Sequence, residues 1–469
     1  MHRNRRRILM ATLIVSALVG VLATGWVWST RNPLELTLQE LGQAAGQSYI
    51  YGYPLVLMDE TRREVIEHGG LPPNRLAHIR NLPGAGFTAV VRPNVDTLYS
   101  IAWLELGTTP LQLDIPAMEG RYWLFQGLDA WTNVFADPGV RTLGDGNVSV
   151  LIAGPDFEGS VPDGVTLYRS PTRTAWLLGR IEIDGQHDLS AAHRLQDGLR
   201  LHPYRAMPGG HGVTLDRPAT PTSRPAPPDR VEAMDAPEFF NRLGALMVDN
   251  PPADGDGEAL SRMQALGAGP GETVDWSEYG ILAVQAILRG VRLARQRLAE
   301  GPSQGTGWVM PEGHIGRYGT DYAYRAGVAL YGLGANLPED AVYPGARTDS
   351  AGDALQGGEH YRIRFAPDAV PPVNGFWSIT LYDEDGYFIA NGAQRFALSN
   401  RDELVTGADG AITLDIHPGP PAEGREANWL PAPEEGKFTL LARLYWPQES
   451  VLDGSWTMPP VERVEAPPE

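Results

Sequence analysis

Two carboxylates, Asp96 and Asp129, stand in the densest stretch of the chain, Arg92 to Asn133. A pair of carboxyl groups can serve as acid and base in a hydrolase or lyase, provided both face one gap. The same stretch carries Arg92, Asn94, Arg121 and Asn133. Guanidinium groups grip carboxylates and hydroxyls in forked pairs, so Arg92 and Arg121 could instead ground a polar ligand, with the two amides assisting. Tyr99, Trp131 and, far downstream, Trp377 offer faces on which a sugar ring could stack, and Arg395 adds a further cation. The same residue types have plainer uses in sandwich cores, Asx turns and ion pairs. Three readings are therefore open. One is a binding protein for a polar small molecule or glycan. The second is a hydrolase or lyase working through Asp96 and Asp129, and the third is an architectural protein.

Other chemistry finds little support. Gly301-Pro302-Ser303-Gln304-Gly305 fits a nucleophile elbow in letters only, because an elbow needs a strand before the serine and a helix after it. Here a helical pattern precedes and a loop follows. The ten histidines show no metal-ligand spacing. Asp254-Gly255-Asp256-Gly257 and Asp383-Glu384-Asp385-Gly386 resemble calcium loops, but the twelfth positions are Ala265 and Gln394 instead of glutamate. No metal and no cofactor is expected. The absence of cysteine removes thiol nucleophiles, disulfides and thiolate metal sites. Lysine occurs once, at Lys437, which argues against a Schiff base.

The elements that would position these residues are mostly strands. Leu98–Leu104 and Tyr122–Leu128 alternate with both faces largely apolar, so each should be covered on both sides. Leu111–Ile115 alternates cleanly between them and stops at Pro116. Further strands are expected at Phe87–Val91, Val148–Ala153, Val165–Arg169 and Ala175–Ile183, with a short helix at Leu189–Leu201. A second set is expected at Tyr361–Phe365, Phe376–Tyr382, Tyr387–Asn391, Ile412–Ile416 and Phe438–Tyr445, with Asp385-Gly386 as a hairpin turn. Helical periodicity marks Leu34–Tyr53, ended by Pro54, then Val56–His68, Pro237–Val248, Gly257–Leu266, Trp276–Leu298 and Asp321–Tyr331. In Trp276–Leu298 the inward stripe should be Ile281, Val284, Ile287, Leu288, Val291 and Leu298. The expected fold class is α+β and β-rich, with two jelly-roll-like β-sandwich domains, a helical segment between them and an N-terminal transmembrane helix. Thr97-Leu98-Tyr99 recurs as Thr380-Leu381-Tyr382, Leu113-Asp114-Ile115 as Leu414-Asp415-Ile416, and Arg121-Tyr122 with Leu124 as Lys437-Phe438 with Leu440, a hint of duplication.

The chain begins with Arg3, Arg5, Arg6 and Arg7, followed by an uncharged run from Ile8 to Trp28. That length suits a helix crossing the bilayer, with the arginines held in the cytoplasm and the body outside. The competing reading is a signal peptide cut near Ala23-Thr24-Gly25. The lipid bilayer is thus an expected partner through Ile8 to Trp28, and the inner membrane with a periplasmic body is the expected location. Formal net charge is −19, and −24 without the first 31 residues and their five arginines. So acidic a body repels phosphate backbones, which excludes nucleic-acid binding. A homo-oligomer is left open. The expected boundaries are 1–33 for tip and anchor, 34–205 for the first β domain and 206–230 for a Pro/Gly-rich linker. Residues 231–335 form the helical segment, 336–462 the second sandwich and 463–469 a loose tail.

The run RPN-DTLYS followed by GRYWLFQGLDAWTNVF resembles the N-terminal part of a bacterial envelope family known as domain of unknown function 1254. FWSITLYDEDGYFIANGAQRFAL, followed by NWLPAPEEGKFTLLARLYWP, is similar to its companion, domain of unknown function 1214. Together they span nearly all of the chain beyond the first thirty or so residues. The resemblance implies an exported protein with two β-rich domains. It implies no reaction and assigns no catalytic residue.

Overall fold

A computed structural model describes residues 36–87, 91–206, 212–214, 224–301 and 305–465. The expected membrane helix, Ile8 to Trp28, lies outside these residues, as does most of the expected strand Phe87–Val91. Among the described residues no helix is long and apolar enough to cross a membrane. The chain divides into two units. Of the described residues, one gathers those up to 60 with 227–301 and 319–331; the other gathers those of 61–226, 302–318 and from 332 on.

The first unit is helical: α1 (Leu38–Arg63), α2 (Pro227–Ala233), α3 (Ala236–Asp249), α4 (Gly257–Gln264), α5 (Ile281–Ala299) and α6 (Tyr322–Gly332). Thr37 and Glu40 cap α1 reciprocally: Glu40 N donates to the Thr37 hydroxyl, and Thr37 N donates to the Glu40 carboxylate. The helix then runs through Pro54, where the sequence predicts an end. A buried proline costs about 3 kcal/mol in a helix. Tyr53, Leu55, Val56, Leu57 and Met58 are all buried around it, and each large side chain returns roughly 1.5–3 kcal/mol, so packing wins. Buried acids on α1 find cations on later helices: Asp59 meets Arg242, and Glu60 accepts from Arg230 at 2.8 Å. Tyr51 and Tyr322 both donate to Asp256, at 3.0 and 2.8 Å.

Helices α1 and α5 run in parallel and nearly touch backbone to backbone. A Cβ on Gly42 or Gly46 would stand 3.0 Å from the carbonyl oxygen of Ala286 or Gly290, and one on Gly290 would overlap that of Gly42. Small residues every four positions allow this approach. On α5 the buried residues are Ala283, Ile287, Gly290, Val291, Ala294 and Leu298. Ile281 and Leu288, expected in that stripe, are exposed instead, and the helix starts at Ile281, not Trp276.

The second unit holds both β regions. Its first half contains β1 (Ala77–His78), β2 (Thr97–Glu105), β3 (Leu111–Ile115), β4 (Trp123–Asp129), β5 (Val134–Ala136), β6 (Val148–Ala153), β7 (Thr166–Arg169), β8 (Thr174–Glu182), β9 (Arg200–Pro203) and β10 (Val213–Thr214). The second half contains β11 (Trp308–Val309), β12 (Ala341–Val342), β13 (Gly345–Ala346), β14 (His360–Phe365), β15 (Trp377–Asp383), β16 (Ala397–Ser399), β17 (Ile412–His417), β18 (Trp429–Pro431), β19 (Phe438–Tyr445) and β20 (Glu462–Val464). They form four sheets, ordered β7-β6-β3-β9, β10-β1-β2-β8-β4-β5, β11-β13-β19-β15-β16 and β18-β17-β14-β20, with β12 also on β19.

Alternation along the strands stacks these sheets. Ala102, Leu104, Trp123, Phe125 and Leu177 face Leu111, Leu113, Val150 and Ile152, and close the first sandwich. Trp377, Ile379, Leu381, Leu440 and Leu444 face Tyr361, Ile363, Phe365 and Leu414, and close the second. The other faces of the two inner sheets meet through Tyr122, Leu124, Phe376 and Tyr445. Parallel pairs β1–β10, β6–β7 and β17–β18 make three sheets mixed, so these are not all-antiparallel jelly rolls. The repeated motifs lie in corresponding layers. However, β8 separates β2 from β4, whereas β15 and β19 pair directly, so no strand-for-strand duplication holds.

Several expected boundaries differ. Val213–Thr214, inside the expected linker, adds a strand to β1, and α2 begins at Pro227 within the same segment. Residues 302–318 go with the β unit, while α1 goes with the helical one. Asp385-Gly386 does turn, but Tyr387–Asn391 forms no strand; the return strand is β16. Arg463 and Val464, placed in a loose tail, pair with Tyr361 and His360.

Candidate functional site

The layer between the two inner sheets is polar at one end, and β2, β8, β15 and β19 furnish most of it. Tyr99 and Arg180 project from β2 and β8, which pair at those two residues. Ser378, Thr380 and Tyr382 project from β15, and Arg443 and Tyr445 from β19. The turn Arg92–Asp96 closes the end. Arg92 there adopts a left-handed φ of 54°, a strained state for a residue with a Cβ. Its N–H donates to Gly386 O at 2.7 Å, and its carbonyl accepts from Arg443 at 3.2 Å.

Asp96 is 2% exposed and fully engaged. Arg401 donates to it at 2.5 Å and Ser378 at 2.6 Å. The Arg401 guanidinium lies 3.9 Å above the Phe376 ring and reaches Glu182 at 3.9 Å. Burial pushes Glu182 above the usual carboxylate range, and nearby Asp96 adds to the rise against the pull of Arg401 and Arg121. Asp96 thus shares a cation with Glu182 and not with Asp129.

Arg180 and Arg443 are buried, and neither meets a carboxylate within ion-pair distance among the described residues. Arg180 donates to Gln126 Oε1 at 3.1 Å and Gly334 O at 2.8 Å, and lies 5.3 Å over the Tyr99 ring; its Nε has no partner. Arg443 donates to Thr380 at 2.7 Å and to Tyr382 at 2.6 Å, and the Tyr382 hydroxyl in turn donates to Pro93 O at 2.6 Å. The Asn94 amide points at the hydroxyls of Tyr99 and Tyr445, 3.3 and 3.0 Å away. Desolvation would raise the Tyr99 phenol. Arg180, with hydrogen bonds from Asn94 and Arg180 and the field of Arg443, outweighs it and leaves Tyr99 below its ordinary value. Desolvation and the like charges of Arg347 and Arg443 lower Arg92.

The structure brings Arg92, Asn94, Asp96 and Tyr99 together and leaves the other sequence candidates elsewhere. Asp129 stands at the opposite end of β8 from Asp96: Asp96 O binds Ile183 N, while Asp129 pairs with Ala175. Eight strand positions separate them, about 25 Å at roughly 3.3 Å each, so they form no acid–base pair. Asp129 accepts from the N–H groups of Trp131 and Asn133, both at 2.9 Å, and from the Asn133 amide at 3.1 Å. These three residues make a turn. Arg121 forms a forked pair with Asp188, its Nη2 at 2.7 Å from Asp188. Arg395 donates to the carbonyls of Glu426 and Trp429. Trp377 is 2% exposed in the second core, its edge lining a recess of about 350 Å³ with Asn400 and Asp402.

Arg180, Tyr343, Arg401 and Arg443 escaped the reading by turns and motifs. Arg180 and Arg443 did leave a signal, an arginine inside each of the apolar runs AWLLGRI and FTLLARLYW. Such a charge is buried only with a reason.

Comparison with known proteins agrees with the sequence motifs. No curated protein matches the chain. Among solved structures, the VPA0106 protein of Vibrio parahaemolyticus is 23% identical, covers 91% of this chain and 100% of its own, and superposes with a TM-score of 0.68. An uncharacterised protein of Burkholderia cenocepacia is 13% identical, with 91% and 94% covered and a TM-score of 0.45. The first supports the α+β fold with mixed sheets. Residues 73–203 match the family described as protein of unknown function DUF1254, and residues 340–449 the one described as DUF1214. The chain thus pairs a DUF1254 region, over its first inner and outer sheets, with a DUF1214 region over its second.

Proposed function

We propose that the layer between the inner sheets binds a small anion, such as an organic acid or an acidic sugar. Arg180 and Arg443 would hold its charge, with Tyr99 and Asn94 beside them. The carrying observation is that both guanidiniums are buried without a carboxylate. An unmatched buried cation costs several kcal/mol, and a bound anion would offset that cost. Tyr99 and Tyr343 support the reading: both are strongly desolvated, yet both keep accessible surface, as the walls of a recess do. In this reading Asp96, Arg401 and Ser378 are the clamp joining the two sheets, and Arg92 holds the mouth. The reading keeps the expected setting, a body outside the cytoplasm tethered through Ile8 to Trp28.

The test is a melting-temperature screen of the full chain against mono- and dicarboxylates, uronic acids and phosphate. A ligand at a hundred times its Kd adds about 2.7 kcal/mol, a rise of several degrees. Arg443→Met should abolish that rise. If no anion raises the melting temperature and Arg443→Met is itself more stable than the parent, the layer is a packing interface and the protein is architectural.

A further inference from the structure

Helix α5 reads ILAVQAILRGVRLARQRLA, with four arginines and no acid in a chain of net charge −19. Its inner face packs on α1 through the small residues described above. Its outer face is unusual for a surface helix: Ile281, Leu282, Leu288 and Leu293 are 61, 44, 45 and 50% exposed. At 100° per residue, Ile281 and Leu288 form one edge of that face and Leu282 and Leu293 the other, with Arg289 and Arg292 between them. Neither arginine has an ion-pair partner among the described residues, and nor does Arg297 on the flank. Arg295 is different; it lies 5.0 Å over the Tyr49 ring and serves the α1 contact.

We propose that this outer face lies on the surface of an anionic membrane. A helix with aliphatic edges and an arginine centre buries its leucines at the headgroup boundary while its cations meet phosphates. A second copy of the same face fits badly, because two-fold pairing would set Arg289 and Arg292 against their own images. The path of the chain supports the membrane. α1 and α5 run in parallel, so Leu38, itself 40% exposed, starts beside the Ile281 end of α5. Residues 29–37 join Leu38 to the uncharged run that ends at Trp28. Nine residues span about 30 Å at most, comparable with the length of α5 itself, about 28 Å at roughly 1.5 Å per residue. A tether entering the bilayer at Trp28 would thus deliver this face to the lipid.

The lack of cysteine makes the test direct. The full chain carrying Leu288→Cys, or Val405→Cys on the β unit as control, is labelled with a polarity-sensitive fluorophore. Each is then reconstituted in phosphatidylcholine vesicles with or without phosphatidylglycerol. The Leu288 probe should shift to the blue and be quenched by a headgroup-level nitroxide lipid only when phosphatidylglycerol is present. The Val405 probe should stay wet, and Arg289→Glu with Arg292→Glu should abolish the Leu288 response. A Leu288 probe as wet as the control in vesicles that float with bound protein overturns the proposal. So does a shielded probe that the nitroxide lipid fails to quench, which would put a protein surface on that face. Failure of the chain to float with either vesicle overturns it as well.

Discussion

Asp96 is the residue on which the two families' regions are joined. It leads from the DUF1254 side, yet Arg401 and Ser378 come from the DUF1214 side, 305 and 282 residues further on. Removing it leaves Arg401 half-buried over the Phe376 ring, with Glu182 at 3.9 Å as its remaining carboxylate. Asp96→Ala should therefore cost about 3–5 kcal/mol, read as a lowered urea midpoint, and adding Arg401→Met should recover much of the loss. If the single variant is neutral, the clamp is not structural. At this scale the sequence revealed which residues mattered more readily than what they do. Arg92, Asn94, Asp96 and Tyr99 were visible as polar groups at a strand's entrance. Their partners were not, because no local pattern says which strand will face another. Asp129 looked equivalent to Asp96, and only register separates them: β2 and β4 both run antiparallel to β8, so the start of one lies far from the end of the other.

Elements were more legible than contacts. Alternation alone places β3, β6 and β19 at their observed bounds. It fails where tertiary packing overrides a local rule, as at Pro54, and where a loop intervenes, as between Gly386 and β16. In α5 it names the wrong side for Leu288, because a helix apolar on more than one face does not say which face is buried. The glycine row explains the true choice: only backbone contact with α1 makes Gly290 and Ala294 the inner line. Gly290→Ala sets two effects against each other. Alanine favours the helix by about 1 kcal/mol, but its Cβ meets the Gly42 carbonyl, which no rotamer can move aside. Overpacking of this kind costs about 1–3 kcal/mol or more. We expect a net loss and a lower melting temperature, whereas Gly327→Ala on α6, where a Cβ meets nothing within 4 Å, should be neutral or stabilising.

The whole molecule is interleaved. The chain passes between its two units at residues 60, 226, 301, 318 and 331, so neither unit is a continuous segment. The family boundaries follow the sandwiches, but the sandwiches are not separate bodies: Tyr122, Leu124, Phe376 and Tyr445 close one core from both. A fragment of residues 61–226 would present that face to water. It should show no cooperative melt and should aggregate, and a sharp monomeric transition in calorimetry would contradict the shared core. The sequence could not announce this, because composition marks linkers and turns but carries no record of which faces find each other.

The order of synthesis adds a consequence of α1. Its apolar turns are finished early, but Glu60 must wait 170 residues for Arg230, and the Tyr51 carbonyl 274 residues for Arg325. Throughout that delay a nascent chain carries a greasy rod with nothing to hide it. Whatever escorts the polypeptide from the ribosome has to shelter this rod first and release it last.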